Sequence, residues 1–207
     1  MSPGAFSPRR RRLLSLPLLL AVPPARAQSA PRPDIRVGDQ WQFAVYDTVP
    51  TRVPSRTWIV TAVTPAGIEA TENGAPLRLT PDLNVLDSPR QSENNPGLLR
   101  FPLEVGKRWR YDSQWTFKFK GSTGTLAMAV EVQARERVAV PAGEFDAFRL
   151  FARGALGGHS PSNTFYGGDT TTTYWYAPSA RAIVKSVHHN PYLGKTITEL
   201  VSVRLGR

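Results

Sequence analysis

The chain contains no cysteine. No disulfide can form, so the fold must rest on its core, and a thioether-linked lipid anchor is excluded. Histidine is nearly as scarce, with His159, His188 and His189 the three present. Adjacent strand residues point to opposite faces, so His188 and His189 cannot share one ion in a regular strand. With no cysteine and His159 far off in sequence, no metal site is expected, and a solvated strand end accounts for the pair. Helical periodicity is almost missing. No G-x-S-x-G occurs, and no catalytic or cofactor signature stands above background, so no cofactor and no catalytic residue are assigned.

The first 27 residues carry a different signal. Arg9 to Arg12 form a charged region, Leu13 to Val22 a ten-residue apolar run broken by Pro17, and Ala25-Arg26-Ala27 a small-residue cleavage site. The run is too short for a bilayer core that takes roughly 20 residues. A cleavable export signal is expected, with the mature chain starting at Gln28 in the periplasm and carrying no transmembrane anchor. Arg11-Arg12-Leu13-Leu14 loosely matches a twin-arginine signal, and the general export route stays open beside it. This leader holds five of the 26 basic residues and no acid, so its removal halves the net charge from +10 to +5. Nucleic acid is excluded as a partner by charge and by compartment.

Residues 28–36 are polar and Pro-rich and read as a flexible lead; residues 37–207 read as a single β domain. Period-two alternation recurs through it. Trp41, Phe43 and Val45 share one face, and Trp58, Val60 and Ala62 share another. Shorter strands are expected around 68–71, 77–80 and 83–86, and a loop over 87–98. Further strands are expected at 107–120, 125–139, 145–153, 170–177, 182–189 and 195–204. Turn signals every eight to fifteen residues give an all-β, mainly antiparallel sheet curled into an open or partly closed barrel.

The strongest local pattern is a long hairpin from Lys107 to Ala139. Trp109, Tyr111, Trp115, Phe117 and Phe119 occupy odd positions of its first strand, and Leu126, Met128, Val130, Val132, Ala134 and Val138 even positions of its second. With the turn at Gly121–Gly124, Phe119 faces Leu126, Trp115 faces Val130 and Tyr111 faces Ala134. Five aromatics at about 150–250 Å² each present roughly 750–1,250 Å². A soluble monomer leaves a patch of only about 300–600 Å² exposed. Core or an apolar ligand must cover this face, and a strand near 45 Å long at roughly 3.3 Å per residue curls naturally around a groove.

The same register sets Arg110 opposite Arg135 and Arg108 opposite Arg137. Opposed like charges cost stability. Either Asp146 and Glu144 compensate them from the neighbouring turn, or an anionic envelope component does. Residues 154–169 contain five glycines with His159, Ser160 and Tyr166, and read as a lid or rim loop, a plain connector, or the seat of a hydrolase. Thr170 to Thr173 followed by Tyr174-Trp175-Tyr176 reads as a strand with a hydroxyl face packed in the core.

Two short elements echo each other. Val37-Gly38-Asp39-Gln40-Trp41-Gln42-Phe43 resembles Val105-Gly106-Lys107-Arg108-Trp109-Arg110-Tyr111, and Pro65-Ala66-Gly67 recurs at Pro141-Ala142-Gly143. Gly38-Asp39-Gln40-Trp41, Phe101 to Trp109, Val140 to Ala147 and Tyr174 to Pro178 (with Ile183-Val184-Lys185 after it) together resemble a group of exported bacterial proteins of unknown function. Related families are similar to the open β-barrel of periplasmic lipoprotein carriers. The resemblance implies a fold and a compartment and no catalytic residue. Three functions stay open: binding an apolar or lipid-like ligand in a groove, presenting a sheet edge or face to a protein partner, and hydrolysis at 154–169. The oligomeric state is not legible.

Overall fold

The computed structural model describes residues 29–47, 55–118, 121–162, 164–190 and 194–206. The expected leader at 1–27 lies outside the described residues, as does Phe119. The strands in chain order are β1 (Ser29–Ala30), β2 (Gln40–Asp47), β3 (Arg56–Thr64), β4 (Gly67–Glu72), β5 (Ala75–Leu79), β6 (Val85–Asp87) and β7 (Gln91–Glu93). They continue as β8 (Leu103–Glu104), β9 (Arg108–Phe117), β10 (Ser122–Val140), β11 (Gly143–His159), β12 (Phe165–Ala177), β13 (Ala182–Asn190) and β14 (Gly194–Arg204). Among the described residues a single 3-10 turn, Pro178–Ala180, interrupts them.

Strands β9 to β14 follow one another around the sheet, β14 pairs with β2, β2 to β7 follow, and β7 pairs back onto β9. Every pairing is antiparallel, and the circle is a closed barrel of twelve strands. β1 and β8 form a separate pair. The all-β class and barrel are those expected, and closure goes further than an open barrel. It depends on β7, inside a stretch that composition marks as loop. Gln91, Ser92 and Glu93 show no apolar alternation, yet their backbones pair with Phe117, Thr116 and Trp115. Register shifts at Val60/Ala62, Val132/Ala134, Trp175/Tyr176 and Leu200/Ser202 add the local twist and bend that closure needs.

The β9–β10 hairpin forms with a register different from the expected one. Phe117 faces Ser122, Trp115 faces Gly124, Tyr111 faces Met128 and Trp109 faces Val130. The slip is even in residues, so both apolar faces still point the same way, and Trp115 is 6% exposed. Two glycines decide it. Gly121 adopts φ +61°, a conformation glycine reaches without strain, and so makes the turn. Gly124 is needed inside the strand instead. A Cβ there would meet the Gly157 carbonyl oxygen at 2.0 Å and the Trp115 ring at 2.4 Å.

The 154–169 segment is likewise strand, not loop. Its first six residues complete β11 and residues from Phe165 on begin β12, with Pro161 and Ser162 in a turn between them. Its glycines serve close packing: a Cβ at Gly158 would meet the Trp115 ring at 2.6 Å, and one at Gly154 the Met128 sulfur at 2.8 Å.

The internal echo is structural. Gly38 N–H donates to the Val60 carbonyl and Val60 N–H to that of Asp39, each at 2.9 Å. Gly106 N–H donates to the Val132 carbonyl at 2.8 Å and Val132 N–H to that of Lys107 at 2.9 Å. Gly38 and Gly106 take φ +88° and +91°. A bulge follows each valine, and a Pro-Ala-Gly turn follows each bulge. The barrel is thus two runs of six strands, β2–β7 and β9–β14, opened by the same turn.

One end of the barrel is filled. Trp41 Nε1 donates to the Ala180 carbonyl at 2.8 Å. Fully buried Asp39 accepts from the backbone N–H groups of Arg36 and Gly206 and from Arg181. The apolar cluster of Ile35, Trp41, Ala147 and Ala180 packs there.

Candidate functional site

The barrel interior holds a cavity of about 720 Å³. It reaches the end opposite the Asp39 plug, since Arg56, Ser122, Ser160 and Asn190 line it and stand beside the connections at that end. Its two walls differ. Tyr111, Trp115 and Phe117 of β9 form an aromatic wall with Met128 of β10, while Phe43 and Trp58 of β2 and β3 line the far side next to β14. The Trp115 and Phe117 rings lie 4.8 Å apart. The indole is held in place by Gly124 and Gly158 beneath it and by its Nε1, which donates to the Thr125 carbonyl at 3.2 Å.

The stretch formed by β12 to β14 is polar. Thr170, Thr172 and Tyr174 of β12 line the cavity beside Ser186 and His188 of β13 and Thr198 of β14. Pairing places Tyr174, Ser186 and Thr198 in one row and sets Thr172 beside His188. Thr172 Oγ1 and His188 Nδ1 share a hydrogen bond of 2.7 Å. Burial lowers the His188 pKa from its ordinary value, and the like charge on His189 adds to this. The solvated strand end expected for this pair holds for exposed His189 alone; His188 faces inward, because alternation divides the two. On β7, Glu93 also lines the cavity and accepts from Gln91 Nε2 at 3.2 Å. Burial raises its pKa, and a hydrogen bond with Ser113 partly offsets the rise. Burial likewise raises the pKa of Tyr111 and of Tyr174. Arg181, near the closed end, is paired with Asp39 at 3.0 Å.

Of the aromatic candidates, Tyr111, Trp115 and Phe117 line the cavity. Trp109 packs against a neighbouring apolar cluster, its Nε1 donating to the Gly97 carbonyl at 2.7 Å. Phe43, Trp58, Glu93 and the Thr172–His188 pair were not singled out as a site by pattern. Thr172 carried a hydroxyl-face signal, and only its facing partners give that signal a meaning.

The four arginines do not converge. Arg110 faces Ala129 and Arg108 faces Glu131, with an ion pair of 2.6 Å. Arg135 lies 4.0 Å from Asp146 and over the Phe148 ring, while Arg137 pairs with Glu144 at 3.3 Å. The expected opposition fails because the hairpin register is shifted, and acidic neighbours compensate three of the four. Ser160 lines the cavity, its Oγ bonded to that of Ser162 at 2.8 Å. The exposed His159 ring rests against Phe165. Tyr166 belongs to β12, and its side chain lies outside the described residues. Among the described residues no three His, Cys, Asp or Glu gather as a metal site.

No family model and no curated protein matches the sequence. The fold is similar to that of solved structures. One is a candidate exported protein with a YmcC-like fold from Bacteroides fragilis, at TM-score 0.56 and 15% identity, over 84% of this chain and 99% of that one. Another is a candidate lipoprotein from Parabacteroides distasonis, at TM-score 0.54 and 14% identity, over 86% and 100%. At these identities the shared property is the barrel itself.

Proposed function

We propose that this chain is a periplasmic envelope protein that binds an apolar, lipid-like ligand inside its barrel and performs no catalysis. The carrying observation is the cavity. Protein interiors are close-packed, with few voids larger than a water, whereas a space of about 720 Å³ falls in the range of small-molecule pockets. Three aromatic side chains of one strand project into it. The periplasmic part of the reading is supported by the leader-like N-terminus and by the exported or lipoprotein descriptions of structures with this fold.

The outer surface fits a barrel standing in water. Arg108, Arg110, Asp112 and Gln114 alternate outward along β9 and all are exposed, the reverse of a lipid-facing apolar band. The alternative of a protein partner on a sheet edge has less to work with, because closure gives every barrel strand a neighbour on each side, and the longest one-sided stretch is the second half of β10, which ladders with β11 alone. Hydrolysis at 154–169 has little to work with, since the Ser160 hydroxyl is engaged by Ser162 and the His159 ring meets Phe165 edge to face.

Native mass spectrometry of the protein purified from its own cell envelope tests the proposal. One amphiphile per chain, released on denaturation, is the expected result. Bare polypeptide in every preparation, with no uptake of added lauroyl compounds, would overturn it.

A further inference from the structure

The chemistry of the two walls narrows the ligand, on the premise that the cavity binds one. A plain hydrocarbon chain would satisfy the aromatic wall and leave the other wall facing methylenes. Burying hydroxyls against hydrocarbon without a partner is unfavourable. Thr172 and His188 answer each other through Oγ1 and Nδ1, which leaves the His188 Nε2 edge available. Ser186 and Thr198, neighbours across β13 and β14, line the cavity, and neither side chain hydrogen-bonds to another described residue. A ligand with hydrogen-bonding groups along one edge would complete this row.

Charge and size narrow it further. The ionisable side chains facing the cavity are Glu93, Tyr111, Tyr174 and His188 within, Arg181 paired with Asp39 at the plug, and Arg56 at the open end. An anionic head beside the β12–β14 wall would meet no cation there. The space of about 720 Å³ is large enough for a chain of about a dozen carbons with a polar head.

We infer that the cavity selects an amphiphile with a neutral, hydroxyl-bearing head, its hydroxyls against Ser186, Thr198 and His188 and its apolar chain along Tyr111, Trp115 and Phe117. The inference rests on the proposed ligand-binding role, and the test separates the two. Monolauroylglycerol, methyl laurate and laurate share one chain and differ in hydroxyls and charge. Each is titrated calorimetrically below its micellar concentration into the whole protein and into the Ser186→Ala/Thr198→Val variant, whose fold is checked by thermal melting.

Wild type should bind monolauroylglycerol at least about tenfold more tightly than methyl laurate, equivalent to about 1.4 kcal/mol, and more tightly than laurate. In the variant the ratio to methyl laurate should fall below about threefold, the size of change expected from losing two modest hydrogen bonds. An unchanged ratio overturns the inference. So does laurate as the tightest ligand, which would place selection at Arg56. Equal binding of all three removes the selectivity and leaves the ligand-binding role standing; binding of none removes both.

Discussion

Gly124 and Gly158 show how single residues shape this cavity. Both lie in strands, where glycine ordinarily weakens pairing, and both lie under the Trp115 indole at distances a methyl group could not share. Gly124→Ala should therefore destabilise the fold by about 1–3 kcal/mol through overpacking, read as a lower urea midpoint with an unchanged slope. A loss below about 0.5 kcal/mol, ordinary for a neutral surface change, would contradict the packing described. His188 offers a second reading at this scale. Burial lowers its pKa from 6.5, so as pH falls the unfolded chain takes up the proton first. Stability attached to this group is complete above 6.5 and is lost as pH falls through the lower folded value. Half-buried Glu93 works in the opposite sense, its share lost as pH rises above 4.5 through its raised folded value. His188→Gln should flatten the loss of stability between about pH 7 and pH 5, seen by comparing urea midpoints. Equal slopes for wild type and variant would contradict its burial as a neutral group. The inward aromatics of β9 were legible because period-two alternation survives any even slip of register. His188 was not, because nothing in His188-His189 says which of the two faces in.

Among the elements, the β9–β10 hairpin is the clearest case of a pattern that sets the faces and leaves the register open. Alternation is satisfied by any even slip, and two glycines three residues apart each offered a turn. Only the space beneath Trp115, supplied by β11 from a distance in sequence, assigns Gly124 to the strand and Gly121 to the turn. The absence of cysteine makes a direct test convenient. An Arg110→Cys/Ala129→Cys pair sits directly across the hairpin, within the Cα separation of about 4.4–6.8 Å that a disulfide accepts. It should cross-link readily on mild oxidation. Arg110→Cys/Arg135→Cys should remain reduced, and the opposite pattern would restore the register expected from sequence. β7 escaped sequence reading for a different reason. Three residues with two polar side chains turned inward carry no apolar signature, and their role as the closing strand comes from backbone pairing alone.

At the scale of the whole molecule, the area of the aromatic face already required a cover, whether core or ligand. The barrel supplies part of each. Trp115 and Tyr111 are almost removed from solvent, yet both border an interior space that no side chain fills. The twelve-strand circle follows from a meander whose first and last long strands meet, β2 on β14, and from the short β7 returning to β9. The repeated Val-Gly turn opening each run of six strands shows why the short echo in the sequence had structural meaning. What the sequence could not display is the contrast of walls, because β9 and β12–β14 become neighbours of one space only when the circle closes.

Entry of an apolar chain into this space is read directly by contact quenching of tryptophan. Trp58 and Trp115 line the cavity along its length and Trp41 borders it at the closed end, where its indole is bonded to Ala180, while Trp109 and Trp175 do not line it. A terminally brominated lauroyl chain, titrated into the whole protein, should quench intrinsic fluorescence to saturation near one chain per molecule. Most of that saturable quenching should disappear in the Trp58→Phe/Trp115→Phe variant. Quenching that never saturates in the wild type, or that persists undiminished in the variant, would contradict the account.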